Sequence, residues 1–447
     1  MLTTIEQLPG YLETFLQLQK QASVHHQDYW LRNVREAAFT SFCQLGFPTL
    51  RDEDWRFTSV APIANTNFQL AEDASASVTE KDVAPYRLEG LAAQLVFVNG
   101  HYAPHLSRHP ATPTGLHVSS LAGAIVNDRE KVEPHLAHYA DSNKEAFTAL
   151  NTAFFEDGAF VSIPRGLALQ EPIYFLYLNT GGTTPHIANP RNLILAAENS
   201  QATILEDYVS LGTGTSFTNV VTELVAKDQA VLHHYRIERE STEAFHVSTL
   251  SIQQERSSTV NSHSVLTGGA LVRNNIQPVL AGEGGNCLIN GLFISNGKQH
   301  LDNYMKVEHR SAHCGSHQFY NGILDGDSRG VFHGRILVCK GAQQTDSKQT
   351  NRNLLLSDTA QMDTKPQLEI FADDVKCTHS ATIGQIDEAA LFYLRSRALD
   401  EAAAKGLLLF AFASECLDRM SPGPIRSYVS KIILRALPQA KQYEEAL

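Results

Sequence analysis

The first part of the chain repeats its apolar residues at helical spacing: Leu8, Tyr11, Leu12, Phe15 and Leu18, then Trp30, Val34, Ala37, Ala38 and Phe42. This i, i+3, i+4 rhythm predicts two amphipathic helices, the second stopped by Gly46 and Pro48. The segment FPTLRDEDWRFT (47–58) follows as a charged, aromatic loop, and the small polar run 71–90 reads as a linker or surface excursion. A first strand is expected in LAAQLVFVNG (91–100), and helical spacing returns over 117–157 at Leu136, Ala137, Ala140, Ala146, Phe147, Leu150 and Phe154.

From Phe160 to about Gln385 the pattern changes. Short runs rich in Val, Ile, Leu, Thr and Tyr alternate with turns of Gly, Asn, Asp and Ser, and no helical window interrupts them. Turn-then-strand units at Asn199, Asp228, Ser257 and Gly284 recur every 27–29 residues, a solenoid-like period. Two short strands per unit suit a coil that stacks on its neighbours. A sandwich or jelly roll is the competing architecture; the uninterrupted length of the strand body favours the coil. The fold class expected is mainly β: a right-handed parallel β-helix core flanked by N-terminal and C-terminal α-helical parts. After Gln385 the helical period returns. Asp387 suits an N-cap, a second helix covers Asp400 to Met420, and a third runs from about Ile425 to Leu437 after Ser421-Pro-Gly-Pro. The organisation read from this is 1–90 helical, 91–159 mixed, 160–385 β-helix and 386–447 helical.

Composition narrows the function. The 447 residues carry a formal charge of −12, the wrong sign for a phosphate backbone. No apolar run reaches about 18 residues, so no membrane span is expected. The N-terminus MLTTIEQLPGYLETF has neither the order of a signal peptide nor the bias of a transit peptide. Six cysteines without CxxC spacing then argue for free thiols in a reducing, cytoplasmic setting.

The candidate chemistry is concentrated in ADDVKCTHSATIGQIDEAALFYLRSR (372–397). Its first half is extended in character, so Cys377 and His379 project from one face with Cα atoms roughly 6.5 Å apart. A soft thiolate and an imidazole that close can share a transition metal or an iron–sulfur fragment; a thiol packed beside a surface histidine is the other reading. The stretch is the last strand before the helices, near a solenoid end whose unpaired backbone groups invite strand addition. A second chain could therefore complete a shared coordination shell there. Other near-motifs carry less. Gly326-Asp-Ser-Arg-Gly330 matches G-x-S-x-G, but a strand follows where a nucleophile elbow needs a helix. GLFISNGK (291–298) has the wrong spacing for a phosphate loop, and Gln299 stands where Ser or Thr is required. His309, His313, Cys314 and His317 would line one face only on a helix, and Gly315 argues against one.

The segment 340–397, with QTNRNLLLS, DTKPQLEI and DDVKCTHSATIGQ, resembles the signature region of the SufB/SufD family, scaffold proteins of the SUF iron–sulfur cluster assembly system. VKCTH, Leu394 after LFY, and the N-terminal FPTLRDEDWRFT are similar to the SufD branch, so the resemblance spans essentially the whole chain. It implies a non-catalytic scaffold that pairs with SufB through the β-helix end and binds the SufC ATPase through the C-terminal helices. The metal-site residues it implies are His379, at the interface with SufB, and its neighbour Cys377, around a transient, shared iron–sulfur cluster. No nucleotide is expected on this chain itself, and an isolated chain with an open end could form a homodimer. Ser380 and Ala398 depart from the family pattern, which often has glycine there. The alternatives are a β-helix carbohydrate-active enzyme, which needs carboxylates and basic residues clustered on one face, and a stand-alone metalloprotein using the 309–317 group.

Overall fold

In the computed structural model, which describes residues 9–24, 29–109 and 113–438, two long sheets face each other and the chain alternates between them. Leu8 lies outside the described residues. One sheet has eleven strands and the other ten. The first runs from His117–Ser120 and Ala159–Ile163 through Ser216–Ala226 to Arg329–Val338 and Gln361–Ile370. The second runs from Ala93–Val98 through Val231–Arg239 to Thr345–Leu355 and Val375–Gly384. From Arg191–Ala196 onward each strand pairs in parallel with the strand two places on, up to the last strand of each sheet, which is the topology of a β-solenoid of about eight turns. The expected strand-rich body is therefore a solenoid and not a sandwich, with helices at both chain ends.

The period has a visible cause. Asn199, Gln229, Ser257, Gly284, His313 and Gln344 all have φ between 55° and 73°. Each sits at the same corner of successive coils, and each donates its N–H to the carbonyl of the corner above: Asp228, Arg256, Glu283, Ala312, Gln343 and Asp374. A left-handed corner residue turns the chain sharply from one sheet to the other, and the corner hydrogen bonds keep successive coils in phase.

Inside the solenoid, residues of both sheets interdigitate in one apolar cluster from Ala92 to Ala372. Coil-to-coil fit depends on glycine: a Cβ at Gly291 would lie 2.1 Å from the Tyr320 ring, and one at Gly322 2.3 Å from Phe293. The outer faces are covered by helices. Tyr29–Leu45 and Ala146–Phe154 bury Phe39, Phe42, Phe147 and Phe154 against Phe217 and Val247 of the first sheet. Glu401–Leu417 and Pro424–Ala436 bury Leu409, Cys416, Val429 and Ile433 against the second. Asp387 caps the helix Glu388–Arg395 by accepting from the Ala389 N–H at 2.8 Å. Asp400 caps the next, accepting from the Ala403 N–H at 2.7 Å. No helix is long and apolar enough to cross a membrane among the described residues.

The two ends differ. At the N-terminal end, His117–Ser120 and His101–Tyr102 add antiparallel strands to their sheets and close them off. At the C-terminal end, Gln361–Ile370 and Val375–Gly384 are the last strands of the two sheets; the first is half-buried along most of its length and the second is largely exposed. The solenoid ends open.

Candidate functional site

Val375–Gly384 is built to be an edge. It pairs in parallel with Thr345–Leu355 on one side only, Cys377 opposite Ser347 and His379 opposite Gln349. Its alternation places Val375 and Cys377 against the apolar interior and Lys376 and Thr378 on the exposed face; His379, on the same face as Cys377, is exposed as well. Cys377 is thus half-buried at the rim and His379 stands out from it. Burial raises the Cys377 thiol above its usual range, the Asp346 charge adds to this, and the Ser347 N–H works against it. At neutral pH the thiol is held protonated, so an incoming cation would have to displace the proton before the sulfur could ligate.

The neighbours of this pair supply polarity but not a complete shell. His379, Gln349 and Gln318 lie in register on three successive coils. Gln349 donates to the Gln318 Oε1 at 3.4 Å, and its own buried Oε1 has no partner. The side chain has room only because residue 334 is glycine: a Cβ there would sit 1.3 Å from the Gln349 Nε2. Among the described residues, no third histidine, cysteine or carboxylate joins Cys377 and His379 in a set of three within 4.8 Å. The thiol and the imidazole do not by themselves make a complete coordination shell.

The structure separates the other histidines. His309 is buried and bonds Ser316 Oγ through Nε2 at 2.8 Å, and burial pushes it down to about 4. His313 is the left-handed corner residue, Cys314 is buried beside it with Sγ 3.3 Å from the Gly282 carbonyl, and His317 is exposed on the following strand. They point to different environments, which removes the geometric basis of a metal site in that group. Gly326 forms a turn at φ 63° and Arg329–Val338 is a strand, so Ser328 sits on no nucleophile elbow.

Beside the open end, the helix Glu388–Arg395 buries only Leu391. Phe392 and Tyr393 are 75% and 55% exposed, and Leu407 on the next helix is 48% exposed. On that next helix, Glu401–Leu417, Leu409, Ala413 and Cys416 are buried while Leu407 and Ala411 face solvent, so the apolar run 407–412 has one face inward and one outward. Sequence reasoning missed a different feature, a buried set of Glu238, Glu240 and His246 inside the solenoid. Residues 238 and 240 flank the end of one strand and 246 begins the next, so no fixed spacing signals them.

An open-ended solenoid with helical flanks and a thiol–imidazole pair on its last strand defines a class, and the comparisons identify it. Residues 177–412 match the family described as SUF system FeS cluster assembly, SufBD core domain, and residues 6–175 match the SufBD protein N-terminal region. The chain belongs to this family. It is 35% identical over 412 residues to the iron–sulfur cluster assembly SufBD family protein slr0076 of Synechocystis, covering 90% of each chain. To the iron–sulfur cluster assembly protein SufD of Escherichia coli it is 31% identical, covering 88% of this chain and 90% of that one. It is also 28% identical over 404 residues to the chloroplastic protein ABCI7 of Arabidopsis thaliana.

Proposed function

We propose that this chain is a cytoplasmic, non-catalytic scaffold subunit that pairs with SufB through the open solenoid end and binds the SufC ATPase through its C-terminal helices. A nascent iron–sulfur cluster is built at the first of these interfaces and passed on. The observation that carries the reading is the pair of terminal edge strands, 361–370 and 375–384, with Cys377 and His379 on the second, more exposed one. Ten-residue edges offer a row of free backbone groups to a second sheet, and an incomplete ligand set placed there is completed only by the arriving chain. His379 is the exposed ligand and Cys377 its half-buried neighbour; Phe392, Tyr393 and Leu407 form the exposed apolar row for the ATPase.

The test is co-expression with SufB and SufC. The reading expects iron and sulfide on the ternary complex and not on the lone chain. His379→Ala should leave the complex assembled but lower cluster content by about tenfold or more, with Cys377→Ser having the smaller effect. Unchanged cluster content in His379→Ala would remove the histidine from the site. Failure of the lone chain to co-purify with SufB would sink the pairing.

A further inference from the structure

Six carboxylates of the described residues are buried: Glu206, Asp207, Glu223, Glu238, Glu240 and Asp302. Four of them have an arginine within ion-pair distance. Glu206 meets Arg236 at 3.0 Å, Glu223 meets Arg191 at 2.6 Å, Asp207 meets Arg239 at 2.6 Å, and Asp302 contacts Arg273. Glu238 and Glu240 are the exceptions. Among the described residues Glu238 has no ion pair, and Glu240 has only the His246 Nδ1 at 2.7 Å. Two carboxylates side by side in the interior with no arginine between them are costly, and the rest of this solenoid shows what it does with single ones.

The three side chains converge. One ligand atom from each of Glu238, Glu240 and His246 lies within 4.8 Å of the other two, and all three residues are buried. The carboxylates are oriented by further hydrogen bonds: Thr218 Oγ1 donates to Glu240 Oε1 at 2.7 Å, and the backbone N–H groups of Glu240 and Gly268 donate to Glu238 at 2.9 and 3.3 Å. The loop at 268 presses close, since a Cβ on Gly268 would lie 2.3 Å from the Glu240 carbonyl oxygen. The His246 imidazole is fully buried and turns Nδ1 toward Glu240 at 2.7 Å, the edge from which it can ligate, while Nε2 on the other edge has no hydrogen-bond partner.

We infer that Glu238, Glu240 and His246 bind a single divalent first-row cation inside the solenoid, at the corner where the strand Val231–Arg239 passes to Phe245–Gln254. Two oxygens and an imidazole suit zinc, cobalt, manganese or ferrous iron better than a soft cuprous ion. The ion supplies the positive charge that arginine supplies elsewhere, and Thr218 acts as the hydrogen-bonding support of one ligand. In the absence of a cation, burial and the Glu240 charge together raise Glu238 well above the usual carboxylate range, so a shared proton is the competing arrangement. The site is remote in sequence from Cys377 and His379 and stands apart from the scaffold reading.

The experiment uses the full chain carrying Cys377→Ser and His379→Ala, so that the end strand contributes no signal. The protein is unfolded with EDTA, refolded with Co2+, and desalted. We expect about one cobalt per chain by elemental analysis, with visible d–d absorption lacking a thiolate charge-transfer band, and displacement by Zn2+. Glu240→Gln and His246→Gln should each lose the bound cobalt, and Thr218→Val should weaken it about tenfold. Substoichiometric cobalt in the parent chain, or equal binding by folded Glu240→Gln and His246→Gln, would overturn the inference in favour of the shared proton. If those variants do not fold, the parent chain's cobalt stoichiometry and its missing thiolate band decide alone.

Discussion

At the residue scale, the interior of the solenoid is held by a few choices that allow no drift. Gly291 and Gly322 leave space for the rings of Tyr320 and Phe293 on adjacent coils. Gly291→Ala forces the ring out of place and should cost about 1–3 kcal/mol, read as a lower urea midpoint with unchanged secondary structure. Buried histidines give the pH dependence. Burial lowers His263 to about 3 and His309 to about 4, against ~6.5 in the unfolded chain. Below ~6.5 the unfolded state binds more protons than the folded one, so stability is fully present above that pH and is lost as pH falls toward 4. Between pH 7 and pH 5 each should contribute a loss on the order of 2 kcal/mol. Denaturation midpoints at the two pH values check this, and His309→Gln should flatten the slope.

At the element scale, much was legible because strand and helix obey different periods. The corner units at Asn199, Ser257 and Gly284, the cap at Asp387, the helix start at Asp400, and the edge character of 375–384 all follow from local residue chemistry. What the sequence concealed is the polar interior. The strand Thr345–Leu355 reads TDSKQTNRNLL and shows no clean apolar alternation, because its inward positions Ser347, Gln349, Asn351 and Asn353 are polar and buried. The Glu238, Glu240 and His246 set was invisible for a related reason, since it forms across a corner and not along a strand. One position where the resemblance implied glycine gains a physical meaning: Ala398 has φ 68°. Ala398→Gly should therefore stabilise the helical part by about 1 kcal/mol, while Gly284→Ala, at φ 73° with only a 3.4 Å contact to Ser257, should cost about as much. Thermal melts of the two variants should move in opposite directions.

At the scale of the whole molecule, the asymmetry of the ends governs behaviour. The N-terminal end is closed by antiparallel strands and helices, while the C-terminal end presents two bare edges with Ile370, Phe371 and Ile383 exposed. A chain without its partner should associate through this end. Phe371→Lys with Ile383→Lys should shift a dimer to monomer in light scattering at micromolar concentration, leaving circular dichroism unchanged. A monomeric parent chain would show that the exposed residues 370, 371 and 383 are too few to hold two edges together. The C-terminal helices are anchored along the solenoid: Tyr428 donates to Asp207 at 2.8 Å and Arg239 bonds both, while Glu415 pairs with Arg352 at 2.5 Å near the open end. A partner on the C-terminal helices is thereby tied mechanically to the middle of the solenoid.

The corner ladder has a further consequence for how such a chain can change its length. Each coil is clamped to the next by one left-handed residue and one backbone hydrogen bond at a fixed angular position. Adding or losing a few residues within a strand would rotate everything beyond it and turn interior side chains outward. Adding or losing one whole revolution leaves the phase intact, as with a screw thread. Variation in solenoid length should therefore come in complete turns, cut from one corner residue to the equivalent one on the next coil.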